Sequence, residues 1–256
     1  MSHWDGNINW NSVRASGVKF AYIKATGSGS NGLYSDTQFT ANVKCAKAAG
    51  VAVGAYHYAL PSAPYSSSEA VKQADFFVST MKASMPSFGD IMPVLDFENN
   101  GSLSPTDQVN WIRTFIKAVK VETNRNVMLY TSEDFIQTNG DLNNQLSDIP
   151  LWIAYWPAIN SDTIPPNIAG WTNWTVWQYS DTDVVPGITG QTDIDYGTKS
   201  LDSLGGYLTK TTATSAANTA TTTTITKTTN STVIPVSKII SPTTKKPVLK
   251  YKKVTH

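Results

Sequence analysis

Through the first two hundred residues, short apolar runs of strand length alternate with segments of helical period. That order restricts the chain to an α/β fold built on a largely parallel sheet. The strand-like runs cover 18–26, 51–60, 92–98, 127–131, 151–156, 174–179 and 192–196. Between them, 36–49 spaces Phe39, Val43 and Ala46 as a helix does and stops at Gly50. Residues 69–83 bring Ala70, Ala74, Phe77, Val78 and Met81 to one face, and 105–121 do the same with Ile112, Phe115, Ile116 and Val119. The second of these helices is specified at its start by Ser104 as cap, Pro105 in the first position and Asp107 in the first turn. Later helical segments shrink to 132–138 and 141–147, and 157–173 reads as a Pro-containing loop. The late strands thus follow one another with little helix between them, which predicts an irregular TIM-like β/α barrel rather than a regular eight-fold one.

Composition matters where it changes. Residues 1–208 hold 12 Lys/Arg against 19 Asp/Glu, whereas 209–256 hold 8 against none. An acidic body speaks against a nucleic-acid partner, and a basic tail suits polyanions. From Thr209 onward Thr, Ala, Ser, Asn and Lys dominate, too polar to offset chain entropy. We therefore expect a barrel over 1–208, a disordered Thr-rich linker over 209–232, and over 233–256 a basic tail or the start of a truncated wall-binding module. Cys45 is the single cysteine, which excludes an internal disulfide framework and a cysteine metal site; its neighbours Ala46 and Ala49 suggest a buried position. No apolar run approaches membrane-span length, and no charged-then-apolar leader opens the chain.

Chemistry concentrates in Met92-Pro93-Val94-Leu95-Asp96-Phe97-Glu98. Two carboxylates at i and i+2 of a strand project from one side, and in an α/β barrel the C-terminal strand ends form the active face. Neighbouring carboxylates resist joint ionisation, so one keeps a proton near neutral pH. Glycosidic cleavage uses that arrangement: one acid protonates the leaving oxygen while a second carboxylate steadies positive charge or orients a nucleophile. An isolated Asp-x-Glu can equally cap a loop or pair with Lys or Arg, so the surrounding residues carry the weight. Other strand ends finish in Lys24 and Thr26, in Tyr56, His57 and Tyr58, in Tyr130, in Trp152 and Tyr155, in Trp177, Gln178 and Tyr179, and in Asp193 and Asp195. Aromatic faces cover the C–H faces of pyranose rings, although any single ring here could be core. His57 lacks a second His or Cys at ligand spacing, so a hydrogen-bonding role is expected and no metal. No GxSxG elbow supports serine chemistry, and Gly27-Ser28-Gly29-Ser30 and Gly187-Ile188-Thr189-Gly190 read as turns.

Residues 2–208 resemble family 25 glycoside hydrolases, the N-acetylmuramidases (lysozymes) of bacterial autolysins and phage endolysins. The resemblance runs in order through Ser2-His3-Trp4-Asp5-Gly6, the stretch 17–26, Ala48-Ala49-Gly50, Gly54-Ala55-Tyr56-His57-Tyr58, Gln73-Ala74, Val94-Leu95-Asp96-Phe97-Glu98, Leu151-Trp152-Ile153-Ala154-Tyr155, Trp177-Gln178-Tyr179-Ser180 and Gly187-Ile188 leading to Asp193. It implies a barrel of five β/α units and three further strands that cuts peptidoglycan glycan strands between N-acetylmuramic acid and N-acetylglucosamine. Glu98 would be the proton donor, with Asp96 and Asp193 lining the reacting subsite, Asp96 steadying an intermediate formed by the sugar's own acetamido group, and no cofactor. Substrate contacts are expected from Lys24, Tyr56, His57, Tyr58, Tyr130, Trp152, Tyr155, Trp177 and Gln178. A monomer acting at the cell wall is expected, exported or released as a cytoplasmic endolysin at lysis, with the basic tail on anionic wall polymers.

One departure stands at the beginning. The family's first strand, of the form Gly-Ile-Asp-Val-Ser, has no counterpart before Ser2, so the first barrel strand and its Asp are expected to be missing and β edges left open. That absence keeps a second reading alive, a catalytically weak peptidoglycan-binding module. A chitinase-like barrel lacks support, because the longer DxxDxDxE form is not present at this position.

Overall fold

The computed structural model describes residues 1–157, 165–197 and 201–206. The expected linker at 209–232 and tail at 233–256 lie outside them. Eight strands form one curled sheet: β1 (Phe20–Gly29), β2 (Gly32–Ser35), β3 (Ala52–Tyr58), β4 (Val94–Asp96), β5 (Met128–Ser132), β6 (Leu151–Ala154), β7 (Val176–Asp183) and β8 (Thr192–Gly197), in the order β2-β1-β3-β4-β5-β6-β7-β8. From β1 through β3 to β7 neighbours are parallel, and the end strands β2 and β8 are antiparallel. This is the irregular TIM-like α/β architecture the alternation predicts.

The helices are α1 (Trp10–Ala15), α2 (Phe39–Ala48), α3 (Ser67–Ser84), α4 (Pro105–Thr123), α5 (Glu133–Thr138) and α6 (Leu201–Leu204). No helix among the described residues is long and apolar enough to cross a membrane. Helix α4 begins where its sequence says: the Asp107 N–H donates to Ser104 Oγ (3.2 Å), Pro105 needs no N–H partner, and the helix ends on Asn124 in the left-handed region (φ 53°). Its buried stripe packs on α3 behind β3 and β4, where Phe77, Phe97, Trp111 and Phe115 are fully enclosed. In α2 the buried positions Phe39, Asn42, Val43 and Ala46 keep one face, and Cys45 lies off that stripe. It is exposed, contrary to the burial expected from its small neighbours.

Met1 lies along β1: its ammonium donates to the Tyr22 carbonyl (3.0 Å), and the Lys24 N–H donates to the Met1 carbonyl (2.8 Å). Farther along the same edge, β2 takes over the pairing from Thr26 to Gly29. Gly101 (φ 57°) lets the loop after β4 sit against the loop after β3; a Cβ there would fall 1.9 Å from the Pro61 carbonyl oxygen.

Candidate active site

Strand alternation assigns every candidate to one of two faces. The inner face holds a small cluster of Tyr22, Val94, Met128, Trp152 and Val176, flanked by Phe20, Tyr56 and Tyr130. The outer face packs Ile23, Val53, Ala55, Leu95, Phe97, Leu129 and Ile153 under the helices. Asp96 shares parity with Val94, and its register partners are Tyr58 on one side and Tyr130 on the other. Beyond the strand end Glu98 keeps that parity and opens to solvent, whereas Asp96 is buried. Lys24, Tyr56, Tyr58, Tyr130, Trp152 and Gln178 belong to the same inner face, at or near the C-terminal strand ends, and Asp195 joins them as the register partner of Gln178.

Polar contacts fix the side chains of this inner face. The Trp152 indole N–H donates to Asp195 (2.8 Å), and the Tyr130 hydroxyl donates to Gln178 Oε1 (3.1 Å). The Trp152 ring lies 4.8 Å from Tyr22 and 4.7 Å from Tyr130, edge-on to the latter. Asp193 sits at the solvent end of β8, two residues before Asp195, and its charge is felt by Asp96, Glu98, Tyr56 and Tyr130.

The two central carboxyls perturb one another. Burial, then the charge of Glu98 and the hydrogen bond to it, hold the Asp96 carboxyl well above the usual carboxylate range. Glu98 is also raised, by burial first, with the hydrogen bond from Asp96 pulling the other way. Both carboxyls are therefore held toward their protonated forms, and the Lys24 charge moderates both. Asp195 is pushed up to about 7 by burial and by Asp193, against the Trp152 hydrogen bond. Among the described residues no three His, Cys, Asp or Glu side chains are grouped to hold a metal ion.

Three expected substrate contacts stand elsewhere. His57 is fully buried on the outer face, stacked 5.2 Å from Phe115. Its Nε2 donates to Gln73 Oε1 (2.8 Å), which can only accept, so Nδ1 accepts from the Thr26 hydroxyl (2.8 Å). Glu69 accepts from both the Gln73 amide and the Trp111 indole, which ties this polar chain into the helix layer. Trp177 pairs with Tyr196 on the outer parity of β7 and donates its indole N–H to the Tyr155 carbonyl (2.7 Å). Tyr155, one residue past β6, packs against the outer core. Tyr22 is an inner-face group given no role from the sequence, and Asp195, named there only as a strand-end residue, joins it on this face.

Two concavities lie apart from the acids. One of about 560 Å³ is lined by Gln137, Asn144 and 167–172. The other, about 540 Å³, runs beside Arg113, Lys117 and Lys120 of α4.

A profile of the family described as glycosyl hydrolases family 25 matches residues 1–188. Lysozyme M1 of Streptomyces globisporus is 40% identical over 200 residues, which are 75% of this chain and 64% of that one, so the chain spans just under two thirds of that relative's length. The spore cortex lytic enzyme SleM of Clostridium perfringens superposes with a TM-score of 0.74 at 37% identity, over 79% of this chain and 67% of that one. A bacterial lysozyme from Streptomyces coelicolor gives 0.65 at 35% identity, over 80% and 93%.

Proposed function

Since the chain belongs to glycosyl hydrolases family 25, we propose that it is a muramidase that hydrolyses the β-1,4 bond between N-acetylmuramic acid and N-acetylglucosamine in peptidoglycan. The observation that carries this reading is the Asp96–Glu98 pair, both carboxyls raised, at the strand end on the face shared with Tyr56, Tyr58 and Tyr130.

Glu98 is the acid. It is the member of the pair that reaches solvent, and a glycosidic oxygen entering the cleft meets it first. The proton of the Glu98 carboxyl passes to that oxygen as the C1–O bond breaks, the bonding electrons leaving with the oxygen. Asp96 faces the developing positive charge or orients the acetamido group whose oxygen attacks C1; water then adds to C1, that C1–O bond breaks, and the proton lost by the water returns to Glu98. Asp193 adds negative potential from the mouth. Lys24 limits that potential, so that Glu98 still gives up its proton near neutral pH. Trp152 and Tyr130, fixed by Asp195 and Gln178, present a rigid floor to the sugar. The site of action is the cell wall.

Purified Gram-positive walls test the reading. Wild-type protein clears a wall suspension, and Glu98→Gln, which keeps the shape but donates no comparable proton, slows clearing by ~10³-fold or more. Equal clearing by both removes Glu98 from the mechanism. Firm wall binding without clearing by the wild type would favour the binding-module reading.

A further inference from the structure

Asp96, Glu98, Asp193 and Asp195 make the cleft acidic, yet peptidoglycan carries carboxylates of its own. An anionic ligand needs a cation to receive it, and among the described residues Lys24 is the lysine whose charge reaches these carboxyls. It forms none of the described ion pairs. Its ammonium instead lies between two rings, 5.4 Å from the centroid of Tyr34 and 4.8 Å from that of Tyr58.

A β-bulge creates that arrangement. Lys24 pairs with Tyr56, and the register then slips so that Thr26 faces His57 and Gly27 faces Tyr58. Ala25 and Thr26 both turn to the helix side, which returns Gly27 to the inner face beside Lys24. On the other edge Gly27 pairs with Tyr34 of β2, so Tyr34 is inward as well. The Tyr34 ring lies directly on Gly27; a Cβ there would come within 2.5 Å of its hydroxyl oxygen. The absence of a side chain at 27 is therefore what admits the ring, 37% exposed, to the rim.

We propose that Tyr34, Lys24 and Tyr58 form a subsite for the carboxylate-bearing substituent of the glycan. Lys24 receives the carboxylate, and Tyr34 covers the apolar face of the unit that carries it. The proposal rests on the muramidase reading and names a determinant within that site. The carboxylate has two sources, the lactyl ether of muramic acid itself or the stem peptide attached to it.

Calorimetric titration of the Glu98→Gln protein, which holds glycan uncut, separates these cases. Three ligands are compared: peptide-stripped glycan with free lactyl acids, glycan with stem peptides, and the same glycan with its carboxyls amidated. Adding Lys24→Met is expected to weaken the carboxylate-bearing ligand by about 10-fold and to change the amidated one by less than about 2-fold. Lys24→Arg is expected to recover affinity to within about 3-fold, and Tyr34→Ala to weaken all three about 5-fold. The carboxylate ligand that responds identifies the source. An equal loss on the amidated glycan would show that Lys24 serves only the Asp96–Glu98 pair and overturn the subsite, as would no loss on any ligand. If no glycan binds and the wild type releases no reducing ends, the muramidase reading falls, and the subsite with it. Unchanged melting temperatures across the variants exclude misfolding as the cause.

Discussion

Strands β3 and β4 each carry one set of side chains into the cleft and another into the helix layer, and the two sets differ in kind. Inward go Tyr56, Tyr58, Asp96 and, past the strand end, Glu98; outward go Ala55, His57, Leu95 and Phe97. The outward set is dry and closed. His57 there has each ring nitrogen committed to one partner and a neutral ring stacked among phenylalanines. The inward set keeps proton-bearing groups in contact with one another and with solvent, so its charges remain adjustable. One alternation thus separates the residues that hold the sheet to its helices from those that can do chemistry.

That separation can be broken from either side. Asp96→Asn removes charge from the inner face without touching the outer core; the expected outcome is a ~10³-fold loss of wall-hydrolysis rate, equivalent to roughly 4 kcal/mol, with unaltered melting. Phe115→Ala does the reverse. It empties a fully buried ring position between His57, Phe77 and Trp111, and chemical denaturation should show a loss of about 4 kcal/mol, with rate per folded molecule within about 3-fold of wild type. An activity loss as deep as that of Asp96→Asn at low temperature would mean that the two faces are not separable.

A pH series sharpens the contrast. Burial lowers His57 to about 4 from its ordinary 6.5. Below 6.5 the unfolded chain takes up a proton that the folded one refuses, so stability is lost as pH falls from about 6.5 to about 4, by up to roughly 3 kcal/mol. His57→Gln should flatten that part of the stability curve. A curve unchanged by this substitution would place the acid sensitivity elsewhere.

Most of the architecture was legible because helix and strand periods differ. The caps and stripe of α4 set its limits in the structure as in the sequence, and seven of the strands stand within or close to the expected runs. β2 is not apparent in the sequence because Gly27–Ser30 reads as punctuation alone; the chain reverses at Ser30-Asn31, between the paired Gly29 and Gly32. The site was legible as far as the Asp-x-Glu pair and its aromatic neighbours. Which parity faces the cleft was not, because a sheet covered on one side by helices and curled around its own aromatic interior has no polar face to give the answer. Strand-end position alone therefore does not separate His57, Tyr155 and Trp177 from Tyr56, Trp152 and Gln178 across the sheet, nor give Asp195 a role beside Asp193.

Catalysis turns on a proton that the coupled carboxyls of Asp96 and Glu98 retain near neutral pH. Carbon-detected NMR titration of their side-chain carboxyls, assigned with Asp96→Asn and Glu98→Gln, measures it directly. The predicted result is two linked steps, the later one well above the ordinary carboxylate range, merging into a single step when either partner becomes an amide. Two independent titrations near the ordinary value of about 4, unaffected by the partner's substitution, would contradict it.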